Sequence, residues 1–154
     1  MKSLPKPPHS YRADPAVPEF PDTGVVLFVD GTCALCSVWA RFVSRYDRHE
    51  RFRLAAVQSP LGRAMLGHYG LDPDDPDSWL CVHDGHAYEG FDAIAKALSQ
   101  MSGWPRFFAP LFTLGPRGLR RWVYARIARN RYSVLGRTDM CALPDARLRA
   151  RLIG

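Results

Sequence analysis

The run Val25-Val-Leu-Phe-Val29 is apolar throughout, β-branched or aromatic, and stops at Asp30-Gly31. A short run of this kind without alternation predicts a strand buried on both faces. The period then changes. Leu35, Val38, Trp39, Phe42, Val43 and Tyr46 recur at three- and four-residue steps. This predicts an amphipathic helix ending near Asp47, with Thr32 or Asp30 accepting hydrogen bonds from its first-turn amides. Phe52-Arg-Leu-Ala-Ala-Val57 reads as a second strand. Ser59-Pro60 opens a second helix with proline at its first position, running to about Tyr69 and closed by Gly70. After a polar, proline-containing stretch at 71–78, Trp79-Leu-Cys-Val-His83 and His86-Ala-Tyr-Glu89 flank Asp84-Gly85, the signal for a two-residue hairpin. Phe91 to Met101 is a third helix with Asp92 in its first turn.

The order β-α-β-α-β-β-α predicts a small mixed sheet whose first two strands are joined by a right-handed crossover, the order of thioredoxin-like domains. The expected fold class is therefore α/β, thioredoxin-like, with a C-terminal helical extension. That extension starts at about residue 104: Trp104 to Leu114 and Pro116 to about Asn130 read as two further helices. Leu119, Trp122, Val123 and Ile127 form an apolar stripe on the second. No second core or internal repeat is visible, so residues 24–154 are read as one domain. Residues 1–23 hold six of the thirteen prolines and little apolar periodicity, which predicts a disordered arm.

Length and composition fit this picture. The chain has 154 residues, 47% of them apolar and 23% charged, near the globular average, which excludes wholesale disorder and a coiled coil. The apolar stretches are interrupted by Asp30, Arg41 or Pro105 well before the length a bilayer span needs. The start, Met1-Lys-Ser-Leu-Pro-Lys-Pro-Pro, has no apolar signal region, so a cytoplasmic address is expected. The net charge of +6 is uneven: residues 1–103 carry 10 basic and 13 acidic groups, residues 104–154 carry 11 arginines and 2 aspartates. Solvated helix faces, with arginine stems covering apolar surface, are the preferred reading of this basic end. A nucleic-acid or anionic-membrane patch is the alternative. No nucleic-acid motif is present, so nucleic acid is not an expected partner. His9, His49 and His68 show no spacing logic and are expected at the surface.

Chemistry concentrates in Asp30-Gly-Thr-Cys33-Ala-Leu-Cys36, at the junction of the buried strand and the first helix. Two cysteines three apart on a helix's first turn share a face, and the turn's unpaired amides and dipole favour a thiolate on the first. Cys33 is therefore the expected nucleophile, attacking a disulfide to form a mixed disulfide. Cys36, expected deeper and more buried, is the resolving thiol. Asp30, the third candidate site residue, either relays a proton or bonds the turn amides, the second role being preferred. Two other readings of the cysteines stand beside this one. They could be small core fillers. With His83 and His86 they could also complete a CxxC and HxxH zinc set. Cys81 is expected in the core, Cys141 as a packed thiol or a third redox partner, and Arg131 as a cation that could fold back towards the thiols.

The D-x-x-C-x-x-C motif formed by Asp30, Cys33 and Cys36 resembles that of the DCC family of thiol-disulfide oxidoreductases. The similarity extends over about 25–144, through Tyr88-Glu-Gly-Phe-Asp-Ala93, Ile127-Ala-Arg-Asn-Arg-Tyr132, Gly136 and Cys141. The resemblance implies a thioredoxin-like fold and CxxC redox chemistry. Thioredoxin and glutaredoxin place a cis-proline just before the third strand, whereas the corresponding residue here is Ser78.

The expected function is thus exchange of the CxxC dithiol/disulfide with a protein or small-molecule disulfide through a mixed-disulfide intermediate, the partners being a disulfide-bearing protein or a small thiol substrate. No dinucleotide fingerprint is present and no cofactor is expected, so an external dithiol reductant supplies electrons. The alternative is a non-catalytic zinc- or cluster-binding module whose arginine-rich surface contacts an anionic partner.

Overall fold

The computed structural model describes residues 1–74, 79–136 and 146–154. Four strands form one mixed sheet: β1 (Val25–Val29), β2 (Phe52–Ala56), β3 (Leu80–His83) and β4 (His86–Glu89), in the order β2-β1-β3-β4. β1 pairs parallel with β2, Val25 opposite Phe52 and Val29 opposite Ala56, and antiparallel with β3, Leu27 opposite Cys81. Asp84 and Gly85 close the β3–β4 hairpin with φ of 48° and 73°, the two positive values that a type I′ turn requires.

Side chains on β1 alternate between two cores, which is why its sequence is apolar without a break. Val25, Leu27 and Val29 face helix α1 (Ala34–Tyr46) and helix α3 (Gly90–Gln100), together with Phe52, Leu54 and Cys81. Val26 and Phe28 face helix α2 (Pro60–His68) through Leu61, Met65 and Leu66. The Ser59 hydroxyl caps α2 by accepting from Gly62 N at 3.0 Å. Gly62 is required there, because a Cβ would overlap the Ala56 carbonyl and the Val57 backbone.

The thioredoxin-like α/β arrangement with a helical C-terminal extension is present, and two local expectations are corrected. Residues 1–23 pack on the sheet rather than forming a disordered arm. Leu4 N and His9 N donate to Ala87 O and Gly85 O, and Tyr11 is buried with Phe20 against Phe28. Prolines reduce the conformational freedom lost on ordering, and the two rings supply burial that apolar periodicity did not reveal. His68 is not a surface residue: its side chain is 6% exposed and lies between Asp14 (2.6 Å) and Ser10 (2.9 Å).

Trp104–Thr113 is helical, as expected, and takes the 3-10 form. Pro110 lacks the amide and its ring clashes with the preceding turn, which excludes regular α-helical hydrogen bonding there. The apolar stripe of the next helix, α4 (Arg117–Leu135), is largely open to solvent, with Leu119 at 56% and Trp122 at 66% exposure.

The chain ends on the other edge of the sheet. After the short helix α5 (Ala146–Arg149), Leu54 N donates to Arg151 O and Ile153 N to Leu54 O, forming a parallel bridge beside β2. The buried Asp47 carboxylate joins these regions, accepting from Arg51 N and Phe52 N at 3.0 Å each and from the Arg151 guanidinium.

Candidate functional site

β1 and β2 run parallel and end side by side, so the residues after Val29 and after Ala56 meet at one edge of the sheet. Asp30, 4% exposed, turns its Oδ1 into this junction and accepts from Thr32 N (2.8 Å), Thr32 Oγ1 (2.8 Å) and Gln58 Nε2 (2.7 Å). Gln58 Oε1 in turn accepts from Gly31 N at 3.1 Å. The carboxylate thus bonds the turn amide, as one of its two expected roles requires. The expected capping of the helix's own first turn by Asp30 or Thr32 is corrected, because Cys33 occupies the N-cap.

Cys33 has the extended backbone of an N-cap residue, φ −95° and ψ 124°, and its carbonyl accepts from Ser37 N (3.0 Å) and Ser37 Oγ (3.2 Å). Cys36 is the third residue of α1. The spacing therefore sets one sulfur at the helix entrance and the other in its first turn, close to each other. At the N-cap a side chain lies where Ser, Thr or Asp accepts hydrogen bonds from first-turn amides, in the positive field of the helix N-terminus.

The depths of the two thiols reverse the expectation. Cys33 is fully buried, whereas Cys36 packs against the α1-side core yet stays partly open. A distant part of the chain adjoins the pair: Gly136, at the end of α4, accepts from Ala34 N at 3.5 Å. Helix direction alone predicts Cys36 as the deeper residue; Cys33, at the N-cap just after the buried end of β1, lies deeper instead.

Other candidate groups separate from the pair. His83 and His86 face each other across the hairpin, and His83 lies opposite Val25, at the far end of β1 from the cysteines. Five residues of strand put that end about 13 Å or more away, so the combined CxxC and HxxH set is not assembled. Among the described residues no group of three or more His, Cys, Asp or Glu is placed to hold a metal ion. Burial pushes the His83 imidazole below its ordinary pKa, with Lys96 acting in the same direction. Cys81 is core, as expected, and burial pushes its thiol up to about 12. Cys141, Ser78 and the Arg131 side chain lie outside the described residues.

Gln58 is the residue of this junction that the sequence reading missed. The available signal was topological: a parallel pair places the residue after each strand beside its neighbour's, so a polar residue just past β2 had to meet Asp30-Gly31.

The family model for DCC1-like thiol-disulfide oxidoreductases matches residues 27–137, which contain Asp30, Cys33, Cys36 and Gln58. The chain belongs to this family. Relatives of the family include YuxK of Bacillus subtilis, named as uncharacterized, 32% identical over 128 residues that cover 83% of this chain and 93% of YuxK. A second is the chloroplastic DCC family protein At1g52590 of Arabidopsis thaliana, 33% identical over 128 residues that cover 79% of this chain and 71% of that protein. No solved structure matches the chain. Among the described residues no helix is long and apolar enough to cross a membrane. Membership of this family connects the chain with thiol-disulfide redox chemistry.

Proposed function

We propose that the chain reduces disulfides through Cys33 and Cys36 and that Asp30 positions the loop between β1 and α1. The observation that carries this reading is the location of Cys33 at the N-cap of α1 with Cys36 one turn on, in a chain of the DCC1-like family. A helix N-terminus favours the anionic form of sulfur, and the thiolate is the species that attacks.

In the forward direction Cys33 Sγ attacks one sulfur of the substrate disulfide. That bond breaks, a mixed disulfide forms, and the departing substrate thiolate takes up a proton. Cys36, deprotonated, then attacks Cys33 Sγ. A Cys33–Cys36 disulfide closes and the second substrate thiol leaves, so the substrate gains two electrons that the protein loses. An external dithiol protein or small thiol restores the pair. In a reducing compartment such as the cytoplasm the resting form is the dithiol.

Cys36 being the more open thiol makes the assignment of roles directly measurable. Trapping with a Cys36→Ser variant, read by mass spectrometry, is expected to accumulate adducts on Cys33. Adducts that form only on Cys36, in a Cys33→Ser variant, would reverse the two roles. Failure of either single variant to form a mixed disulfide, together with failure of the parent to cycle between dithiol and disulfide, would refute the reading. Cys81, buried and with its thiol shifted upward, is expected to stay unlabelled until the protein unfolds.

A further inference from the structure

The segment Trp104–Thr113 has two contrasting sides. Its inner side is anchored: Pro105 and Ala109 are buried, the Phe112 ring meets Phe91 at 5.7 Å, and Trp104 Nε1 donates to Tyr46 Oη at 3.1 Å. Its outer side carries Phe107 (70% exposed), Phe108, Leu111 and, just after it, Leu114 (65% exposed). The next element, α4, adds the exposed Leu119, Trp122 and Ile127. Soluble monomers seldom expose so many large apolar side chains from consecutive elements, and such groups mark an interaction surface.

Charge identifies the partner. No acidic residue occurs between Asp92 and Asp139, whereas this stretch contains eight arginines and Lys96. Arg106 and Arg126 are exposed and among the described residues form no ion pair: Arg106 lies over the Phe107 ring at 4.9 Å, and Arg126, four residues after Trp122 and seven after Leu119, shares their side of α4. Arg117, Arg120 and Arg121 turn instead to the cavity lined by Asp72, Glu89 and Asp92, where Arg120 pairs with Asp92 at 2.8 Å.

We propose that this face, the outer side of 104–114 and the exposed side of α4, docks on an anionic lipid bilayer. Phe107, Phe108, Leu111 and Leu114 enter the boundary between headgroups and acyl chains, and the arginines meet the lipid phosphates. Rings and branched aliphatics beside unpaired arginines are the composition that lies in a membrane interface without crossing it. A second copy of the chain fits less well, because two such surfaces would bring like charges together. A nucleic acid would stack on the rings but offers nothing apolar to the exposed leucines and Ile127.

The test is flotation of the purified full chain with vesicles of phosphatidylcholine alone or mixed with phosphatidylserine. Binding is expected only to the anionic vesicles and is expected to weaken as salt rises. Phe107→Ser with Leu111→Ser should reduce it by about tenfold or more, and Arg126→Glu by about fivefold or more. All three positions are exposed, and unchanged thermal unfolding verifies that the variants fold. Equal flotation with neutral and anionic vesicles would overturn the proposal, as would binding that survives both sets of substitutions. It would also be overturned by a lipid-free dimer, or by an RNA complex formed in preference to the vesicles, that the same substitutions abolish.

Discussion

Replacing Asp30 by alanine and by asparagine separates anchoring of the loop from proton transfer. The buried Oδ1 accepts three hydrogen bonds of 2.7–2.8 Å, from Thr32 N, Thr32 Oγ1 and Gln58 Nε2. Bonds to a charged acceptor contribute about 1.5–3 kcal/mol each, those to a neutral one about 0.5–1.5. Three donors sharing one oxygen do not add fully, so Asp30→Ala is expected to destabilise by about 3–5 kcal/mol. Asparagine keeps an oxygen at the same place, and Asp30→Asn should cost about 1–2 kcal/mol. With a urea slope of about 2 kcal/mol/M, tryptophan-monitored midpoints fall by roughly 2 M for alanine and by less than about 1 M for asparagine. Stopped-flow reaction of the dithiol with an aromatic disulfide at neutral pH supplies the second readout. A positioning role leaves the folded asparagine variant within about threefold of the parent, whereas loss of a proton carrier costs about 10²–10⁴. An asparagine variant of near-parental stability that reacts a hundredfold more slowly would refute the positioning role. Parental stability in the alanine variant would refute the hydrogen-bond argument itself.

Three further expectations concern the frame around the site. Asp47→Ala strands the buried Arg151 and two backbone amides and should cost about 3–5 kcal/mol, more than Arg151→Met, which leaves the carboxylate its amide donors; equal losses in chemical denaturation would contradict this ordering. Gly62→Ala places a methyl group against the backbone at Ala56 and Val57 and should destabilise by about 3 kcal/mol, lowering Tm by roughly 6–12 °C; an unchanged Tm would contradict the close approach. Hydrogen bonds from His68 and Arg12 hold the Asp14 and Asp22 carboxyls below the usual range, so their contribution is present above about pH 4 and is lost as pH falls through the folded values. Limited proteolysis should therefore release residues 1–23 in acid before the sheet unfolds; cleavage independent of pH would contradict it.

What the sequence disclosed depended on the range of the interaction involved. β1, α1, the Ser59 cap and the Asp84-Gly85 turn follow from neighbours within one element, and period and turn chemistry were sufficient to place them. The ordered start of the chain did not, since Tyr11 and Phe20 are stabilised by a sheet face that only the fold creates. The Trp104–Thr113 segment is helical as its apolar pattern predicts, and its 3-10 form is what periodicity does not disclose, since Pro110 supplies no amide to an α-helical ladder.

At the site, the motif marks the two candidate cysteines, but their depths follow from the fold and not from helix direction: Cys33 is fully buried and Cys36 partly open. Depth matters chemically because the helix entrance stabilises a thiolate electrostatically while burial opposes any charge. A cysteine at the N-cap and under cover is subject to both effects, and its half-open neighbour to less of the second. Comparing alkylation rates of Cys33 and Cys36 in the folded dithiol therefore measures which effect dominates. Faster labelling of Cys33 despite its burial is expected, because its attacking role rests on the helix field; faster labelling of Cys36 would show that access governs instead.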